Sequence, residues 1–274
     1  MRSHNAHPLK WNDDFFLRTF QCGGQMDSLL RRIGRSVSAA FCCWCFGCGT
    51  VQAACADVAL IPGMDASGSI SDAEFAIQKA GYVAALTDPV VQSAFDEAGV
   101  VDIASLFWAD SAYGVQIVPW QRIKSSDDLS VFASRLAATA RKISGNTDIG
   151  VGILAATELF TEDGRCADRM VLDISGDGRA NATIGRARGV ALEPARKQAL
   201  DLGVTINGLA IADKDGQLGE YYSVAVIGGI GSFVIEVDGL TAFPVALRRK
   251  LHRELLALNG GGCPQMPGPD CQKF

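Results

Sequence analysis

Short apolar runs and longer amphipathic stretches alternate along most of the chain, which predicts strands that alternate with helices. The apolar runs resemble strands that are buried on both faces of a sheet. They lie at residues 57–61, 100–108, 115–120, 170–174, 204–211 and 233–237. Stretches with helical periodicity lie at residues 71–86, 127–143, 147–160, 191–202, 219–227 and 241–258. This alternation is typical of one doubly wound α/β domain with helices on both faces of a central sheet.

Two of the predicted strands follow one another without a helix between them. Residues 100–108 and 115–120 are separated by the turn-forming segment Asp110–Gly114. A short turn joins antiparallel strands, whereas parallel strands need a longer crossover connection. We therefore expect a mostly parallel sheet with one antiparallel edge strand, in a domain that spans residues 57–258.

Residues 1–56 have a different pattern, which indicates an export leader. From Met26 onwards, a basic segment at residues 31–35 precedes an apolar stretch at residues 37–51, and Ala54-Cys55-Ala56 follows. A basic region, a short apolar region and a small-residue end are features of a secretory signal peptide. The apolar stretch is short for a membrane span, and none is expected in the mature chain. The sequence predicts a periplasmic or secreted protein cleaved after Ala56, with a lipid anchor at Cys55 or a retained segment as alternatives.

The cysteines are unevenly distributed. Six of the nine precede Asp57, and only Cys166, Cys263 and Cys271 follow it. Cys263 and Cys271 are close enough to form a disulfide in an exported protein. Cys166 is then either a free thiol or the partner of one of these two cysteines. Residues 259–274, which contain both, are rich in Gly and Pro and predict a flexible tail.

The composition is that of a globular protein. Of the 274 residues, 48% are hydrophobic and 20% are charged, and the formal net charge is −5. No basic patch follows the leader, so nucleic acid is not an expected partner. The chain has three histidines, and only His252 lies beyond the first residues. This leaves little for histidine-based catalysis or for a histidine-rich zinc site.

The segment Asp65–Ser69 combines a carboxylate with two hydroxyls directly after the first apolar run. Asp65, Ser67 and Ser69 occupy alternate positions, and Gly68 lets the backbone bend so that the three side chains can converge. Ligands of open α/β sheets bind at the carboxyl ends of the strands, where this segment lies. All three groups offer oxygen, which favours a hard cation such as Mg²⁺ over Zn²⁺.

The pattern Asp-x-Ser-x-Ser at Asp65–Ser69 resembles the metal-ion-dependent adhesion site of von Willebrand factor A-type domains. Those domains complete the site with a Thr before a helix and an Asp that ends a later strand. Thr147, in Gly-Asn-Thr-Asp-Ile-Gly, and Asp177, in Val-Leu-Asp-Ile-Ser-Gly-Asp-Gly, follow in the expected order. The sequences of these segments and of Val226–Gly229 are similar to those of a bacterial family of exported A-type domains of unknown function. The resemblance covers residues 57–258.

The resemblance implies a protein-binding module that has no reaction of its own. In such a domain, Ser67, Ser69 and Thr147 would supply hydroxyl ligands, and Asp65 and Asp177 would bind the cation directly or through water. The expected cation is Mg²⁺, with Mn²⁺ or Ca²⁺ as alternatives. A protein partner that presents an acidic side chain would complete its coordination.

Other interpretations of the same residues stay open. Asp65 and Ser67 also suit an Asx turn, Thr147 an ordinary helix cap, and Asp177 a turn with the glycine that follows it. The domain could be a metal-free scaffold for complex assembly. A metal-dependent hydrolase or phosphotransferase is less favoured, because Ser67 stands where an aspartyl phosphotransferase has a second Asp.

Three further features raise specific expectations. Proline cannot donate to a strand ladder, so Pro62 and Gly63 predict that the first strand ends early or bulges. Asp148 places a second polar side chain beside Thr147 and could compete as a ligand, although we do not count it among the ligands. Asp173, inside a predicted strand, either supports the site from behind or serves only the core.

Overall fold

In the computed structural model, which describes residues 55–181, 189–212 and 215–257, the apolar runs form a six-stranded sheet. Its order is β3-β2-β1-β4-β5-β6. The strands are β1 (Ala56–Asp65), β2 (Val101–Trp108), β3 (Gln116–Ile123), β4 (Ala167–Gly176), β5 (Val204–Ile211) and β6 (Val234–Val237). Only the β2–β3 pair is antiparallel among the strand pairs described. The predicted mostly parallel sheet with one antiparallel edge strand is confirmed.

Helices cover both faces of this sheet. They are α1 (Asp72–Leu86), α2 (Pro89–Ala98), α3 (Ser126–Ala138), α4 (Ile149–Thr161), α5 (Leu192–Asp201), α6 (Leu218–Tyr221) and α7 (Phe243–Leu256). Alternate residues of β1 enter two separate apolar clusters, one with side chains of α1, α2, α3 and α7 and the other with side chains of α4 and α5. Strand β1 is therefore the buried centre of the fold, with its carboxyl end between β2 and β4.

Strand β1 runs straight through Pro62, so the expectation that it ends early or bulges there is wrong. The register with β2 is the same before and after this point, from Leu60 opposite Ile103 to Gly63 opposite Leu106. The hydroxyl of Ser105 donates a 2.8 Å hydrogen bond to the Pro62 carbonyl oxygen. A side chain of β2 thus contacts β1 where proline lacks a backbone donor, and Asp65 stays in register.

The helices differ from the sequence prediction at three places. The helix predicted at residues 127–143 ends at Ala138, where Thr139 has an extended backbone and its N–H donates to the Leu136 carbonyl oxygen. Arg141, beyond this end, contacts the loop after β1. Helix α2 was not predicted, although Asp88 and Pro89 supply a side-chain cap and a first-turn proline. The helix predicted at residues 219–227 is instead α6 followed by a π-helical turn, Tyr222–Val226.

Lys250 of α7 is fully buried between this helix and the sheet. The ammonium group of Lys250 lies 2.5 Å from a carboxylate oxygen of Asp173 and 2.5 Å from one of Glu254. The Tyr82 hydroxyl donates to Asp173, and the Asn207 amide donates to Glu254. Asp173 is therefore part of an ionic network that holds α7 and α1 to β4 and β5. Arg169 also donates to the backbone carbonyl of Glu254.

The cysteines pair differently from the sequence expectation. A disulfide joins Cys166 to Cys55, so Cys166 is neither a free thiol nor the partner of a cysteine in the tail. The backbone N–H of Ala56 donates to the Cys166 carbonyl oxygen at 3.0 Å, which ties the start of β1 to the start of β4. The predicted tail and all but the last residues of the predicted leader lie outside the described residues. Among the residues that are described, no helix is long and apolar enough to cross a membrane.

The ionic network makes stability depend on pH. Two buried carboxylates, of Asp173 and Glu254, share the ammonium group of Lys250. Burial raises the pKa of Glu254 from 4.5 to about 7. The positive charge of Lys250 lowers this pKa, and repulsion from Asp173 raises it. Between these two values the folded protein holds a proton that the unfolded chain has lost, so the free energy of unfolding falls as pH rises. The fall attributable to Glu254 is roughly 3 kcal/mol.

We expect Glu254→Gln to flatten this pH dependence, because a neutral amide still accepts from Lys250 and Asn207 but carries no charge. Urea unfolding in chelator at about pH 5 and about pH 8 measures the difference. The variant should resemble the parent at the lower pH and exceed it at the higher. Glu158→Gln, on the exposed face of α4, is the matched control. An equal slope in parent and Glu254→Gln would contradict the assignment.

Candidate functional site

Three loops meet at the carboxyl end of the central strands. Asp65 is the last residue of β1, Asp177 directly follows β4, and Thr147 lies two residues before α4. The carboxyl ends of parallel neighbours share one edge of a sheet, which is why positions so distant in sequence come together. The structure brings all five predicted site residues into one cluster.

A chain of hydrogen bonds links four of the five side chains. The Thr147 hydroxyl donates to Ser67 Oγ at 3.3 Å, Ser67 Oγ lies 3.0 Å from Ser69 Oγ, and the Ser69 hydroxyl donates to Asp177 Oδ1 at 2.6 Å. Ser67, Thr147 and Asp177 are buried, whereas Ser69 is exposed. The cluster therefore opens to solvent beside Ser69.

Asp65 forms the floor of this cluster and is fully buried. Its Oδ1 accepts a 2.7 Å hydrogen bond from the Ser67 backbone N–H, so the Asx turn considered from the sequence is present. Its Oδ2 is buried without a hydrogen-bond partner among the described residues. Burial raises the pKa of Asp65 from 3.8 to about 7, and the Asp177 carboxylate adds repulsion. The Ser67 bonds and the Asp177 backbone N–H act in the opposite direction.

The loop after β1 has a backbone contact to the Thr147 loop. The Gly68 N–H donates to the Gly145 carbonyl oxygen at 2.7 Å. Gly145 has a φ of 106°, and a Cβ there would lie 2.7 Å from Asp110 Cβ, so this position requires glycine. The loop then enters α1 through a capping box between Ser71 and Glu74.

Thr147 is held by its backbone, which leaves its hydroxyl to face the cluster. Asn181 Oδ1 accepts from the Thr147 N–H at 2.8 Å, and the Asn181 N–H donates to the Thr147 carbonyl oxygen at 3.0 Å. The cap of α4 is Asp148 rather than Thr147. The two carboxylate oxygens of Asp148 accept hydrogen bonds from the backbone N–H groups of Val151 and Val190. This carboxylate therefore caps α4 and holds the segment at Val190.

Arg141 is the site component that the sequence analysis missed. Its guanidinium donates to the carbonyl oxygens of Ala66 and Ser67 at 2.9 and 2.7 Å, and to that of Ile70 at 2.8 Å. It also donates to Asp72 and to the Ile143 carbonyl oxygen. One side chain thus holds three carbonyls of the loop that carries Ser67 and Ser69. Its position in a predicted helix gave no signal of this role, because the partners are about 70 residues away.

The chemistry of the cluster is that of oxygen donors only. It contains two carboxylates and three hydroxyls, and the residues that the structure describes contain no group of three or more His, Cys, Asp or Glu suited to a metal. Oxygen ligands with few carboxylates suit a hard cation that retains some water better than they suit zinc or copper. The residues present therefore fit a site for a cation of the Mg²⁺ class.

Comparison with solved structures finds the same fold in proteins of very different sequence. The von Willebrand factor domain of the type V pilus tip protein Mfa5 from Porphyromonas gingivalis matches with a TM-score of 0.51 and 13% identity, over 78% of this chain and all (100%) of that one. The mussel byssus proximal thread matrix protein 1 matches with a TM-score of 0.51 and 20% identity, over 72% of this chain and 48% of that one. The pilus adhesin SpaC from Lactobacillus rhamnosus GG matches with a TM-score of 0.51 and 14% identity, over 74% of this chain and 31% of that one. The chain thus spans about a third of SpaC and half of the mussel protein.

The sequence itself matches a described family. A comparison with curated proteins finds no match. The profile of DUF1194, described as a protein of unknown function, matches residues 54–259, which is most of the chain and the whole of the sheet. The chain therefore belongs to the DUF1194 family, and its domain has the von Willebrand factor A fold.

Proposed function

We propose that this protein is an exported binding module that holds a divalent cation at Asp65, Ser67, Ser69, Thr147 and Asp177 and, through it, a protein partner. It has no reaction of its own in this proposal. The observation that carries it is the convergence of three hydroxyls on Asp65 and Asp177, with Asp65 Oδ2 buried and without a hydrogen-bond partner in the described part of the chain. A buried carboxylate oxygen is costly unless a donor or a cation offsets it.

Each residue has a distinct part in this site. Asp65 and Asp177 supply the negative charge, and the hydroxyls of Ser67, Ser69 and Thr147 supply neutral oxygen donors, directly or through water. When bound, the cation supplies a positive centre that retains affinity for one further carboxylate, because only two carboxylates offset its charge. Mg²⁺ is the proposed cation, with Mn²⁺ and Ca²⁺ as alternatives.

The opening beside Ser69 supports a macromolecular partner. Ser69 and Gly68 are exposed at the carboxyl edge of the sheet, so an acidic side chain on another protein can reach the cluster from solvent. Proteins with this fold include a pilus adhesin, a pilus tip protein and a byssal matrix protein. These neighbours are adhesive or structural, which supports an adhesion-type module outside the cytoplasm rather than an enzyme.

A metal-free scaffold is the second candidate. The hydroxyl chain from Thr147 to Asp177 is already satisfied by its own hydrogen bonds, so four of the five side chains need no cation to be stable. Only Asp65 is left with an unpaired oxygen among the five. This residue therefore discriminates between the two candidates.

We expect Asp65→Asn to abolish stabilisation by cations without harming the fold. The amide oxygen can still accept from the Ser67 N–H, while the buried charge is lost, so the chelated variant should melt at the same temperature as the parent or higher. The parent should gain about 2.7 kcal/mol of stability at a hundredfold excess of free cation over its dissociation constant. Thermal melting in chelator and in Mg²⁺, Mn²⁺ and Ca²⁺ measures both effects.

Asp57→Asn is the matched control, since Asp57 lies at the other end of β1 and accepts from the Val100 N–H. Its amide oxygen can still accept this bond, so the variant should melt at about the parent temperature and keep the full cation response. A parent that ignores all three cations would favour the metal-free scaffold. A response that survives in Asp65→Asn would place the cation elsewhere.

We expect Arg141→Lys to weaken cation binding through the loop rather than through charge. Lysine keeps the positive charge but lacks the fork that reaches Ala66 and Ser67, so the loop loses its fixed geometry. Calorimetric titration with Mg²⁺ should show roughly tenfold weaker affinity. Arg135→Lys, on the exposed face of α3, should bind as the parent does. Unchanged affinity in Arg141→Lys would show that this contact serves the fold alone.

A further inference from the structure

Tyr222 is a fully buried residue that lies behind the candidate site. It begins the π-helical turn Tyr222–Val226, in which the Ile227 N–H donates to the Tyr222 carbonyl oxygen at 3.0 Å. Such widened turns are rare and occur frequently at functional sites. The Tyr222 hydroxyl has no hydrogen-bond partner among the described residues.

Two glycines on neighbouring strands make room for this side chain. A Cβ on Gly208 of β5 would lie 3.0 Å from Tyr222 Cδ1, so the ring packs directly on the strand backbone. A Cβ on Gly176 of β4 would lie 2.7 Å from the Tyr222 hydroxyl oxygen and 3.0 Å from Asp65 Oδ2. The hydroxyl and the carboxylate oxygen therefore border the same small space, which the missing side chain of Gly176 leaves accessible to both.

Packing alone does not explain why residue 222 carries a hydroxyl group. A buried hydroxyl without a partner costs about 1–3 kcal/mol, whereas phenylalanine would fill nearly the same volume without that loss. A tyrosine hydroxyl is a donor at neutral pH, and a carboxylate oxygen is an acceptor. The two unpartnered atoms beside Gly176 are thus a matched donor and acceptor.

We propose that Tyr222 is a positioning residue for the cation site, whose hydroxyl donates to Asp65 Oδ2 directly or through one water. The Ser67 N–H holds Oδ1 of the same carboxylate, so the two donors together fix its rotation. This inference rests on the proposed cation site. It adds a residue on the π-helical turn to a site otherwise made from the loops after β1 and β4 and before α4.

The test compares Tyr222→Phe with Tyr82→Phe in the full exported chain. Both tyrosines are fully buried, but the Tyr82 hydroxyl donates to Asp173 and Ser175 within the core. We expect Tyr222→Phe to melt in chelator at the parent temperature or above it, and to bind Mg²⁺ and Mn²⁺ about 10- to 100-fold more weakly. Tyr82→Phe should do the opposite, with a lower melting temperature in chelator and unchanged cation affinity.

The outcomes separate this inference from the proposed function. If the parent binds cation and Tyr222→Phe binds it equally well, the positioning role is overturned and the cation site stands. If the parent binds no cation, both are overturned. If Tyr222→Phe loses cation affinity and chelated stability together, the residue is structural and the positioning role is also overturned.

A second, independent observation concerns the start of the mature chain. Cys55 is joined to Cys166, and the next residue, Ala56, is a buried part of β1 that pairs with Ala167. Cleavage after Ala56 would remove one half of the disulfide and the first residue of the central strand. A Cys55 sulfur that carried a lipid thioether could not also bond to Cys166.

We propose that the exported protein keeps Cys55, that its leader is cleaved upstream of this residue at Ala53-Ala54, and that Cys55 carries no lipid. Small residues precede the cut in this position as they do at other signal-peptide cleavage sites. The two thiols pass two electrons to a disulfide oxidant of the export compartment, which takes up the two protons released and becomes a dithiol.

Mass spectrometry of the full chain, expressed with its own leader and purified from the export compartment, tests this. We expect an amino terminus at Ala54 or Cys55 and a peptide pair linked through Cys55 and Cys166 that separates on reduction. An amino terminus at Asp57, a Cys166 that is alkylated without reduction, or a diacylglyceryl mass on Cys55 would each overturn the proposal. So would a chain that retains its leader and reduced thiols.

Discussion

A carboxylate that is shut off from water at the end of the central strand is the constraint on which the site depends. Asp65 is fully buried because β1 lies between β2 and β4 and helices cover both faces of the sheet. A charge in such a place needs nearby polar groups of fitting geometry. The Ser67 N–H donates to Asp65 Oδ1, Arg141 holds the loop that carries Ser67, and the Tyr222 hydroxyl is proposed to donate to Oδ2. The loop after β1 is therefore organised by electrostatics as well as by the burial of Ala66 and Ile70 in the core.

The same principle extends into the core along β4. Asp173 and Ser175 of β4 and Asp177 directly after it occupy alternate positions, so three polar side chains follow one another along one face of the strand and its continuation. Tyr82 contacts the first two, and Lys250 pairs with Asp173. Strand β4 thus has a polar face that continues from the ionic network under α7 to the candidate site. The position of α7 is fixed by an ion pair with specific geometry as well as by its apolar side chains.

The sequence predicted what local patterns encode and failed where distant residues decide. The five site residues could be named because each belongs to a short loop next to a recognisable strand or helix. The behaviour of β1 at Pro62 was not predictable because the strand is held in register by its neighbours β2 and β4, which are distant in sequence. Nothing local shows that Arg141 contacts the loop after β1, or that Lys250 pairs with Asp173 of β4 as well as with Glu254 on its own helix. The partner of Cys166 was not predictable because Cys55 lies 111 residues earlier, within the predicted leader. The fold and the grouping of the five candidate residues were thus predictable, whereas the residues that hold their loops in place were not.

The link between Cys55 and Cys166 also determines how the domain would respond to a pull on its amino-terminal end. Tension entering at Cys55 passes through the covalent bond to the start of β4 as well as to the start of β1. These two strands are central neighbours in the sheet, and a shared load on both beginnings cannot unzip one from the other residue by residue. Strand β1, which ends in Asp65, would keep its register with β4 under such a load. Other contacts of the domain would separate before the β1–β4 pair does.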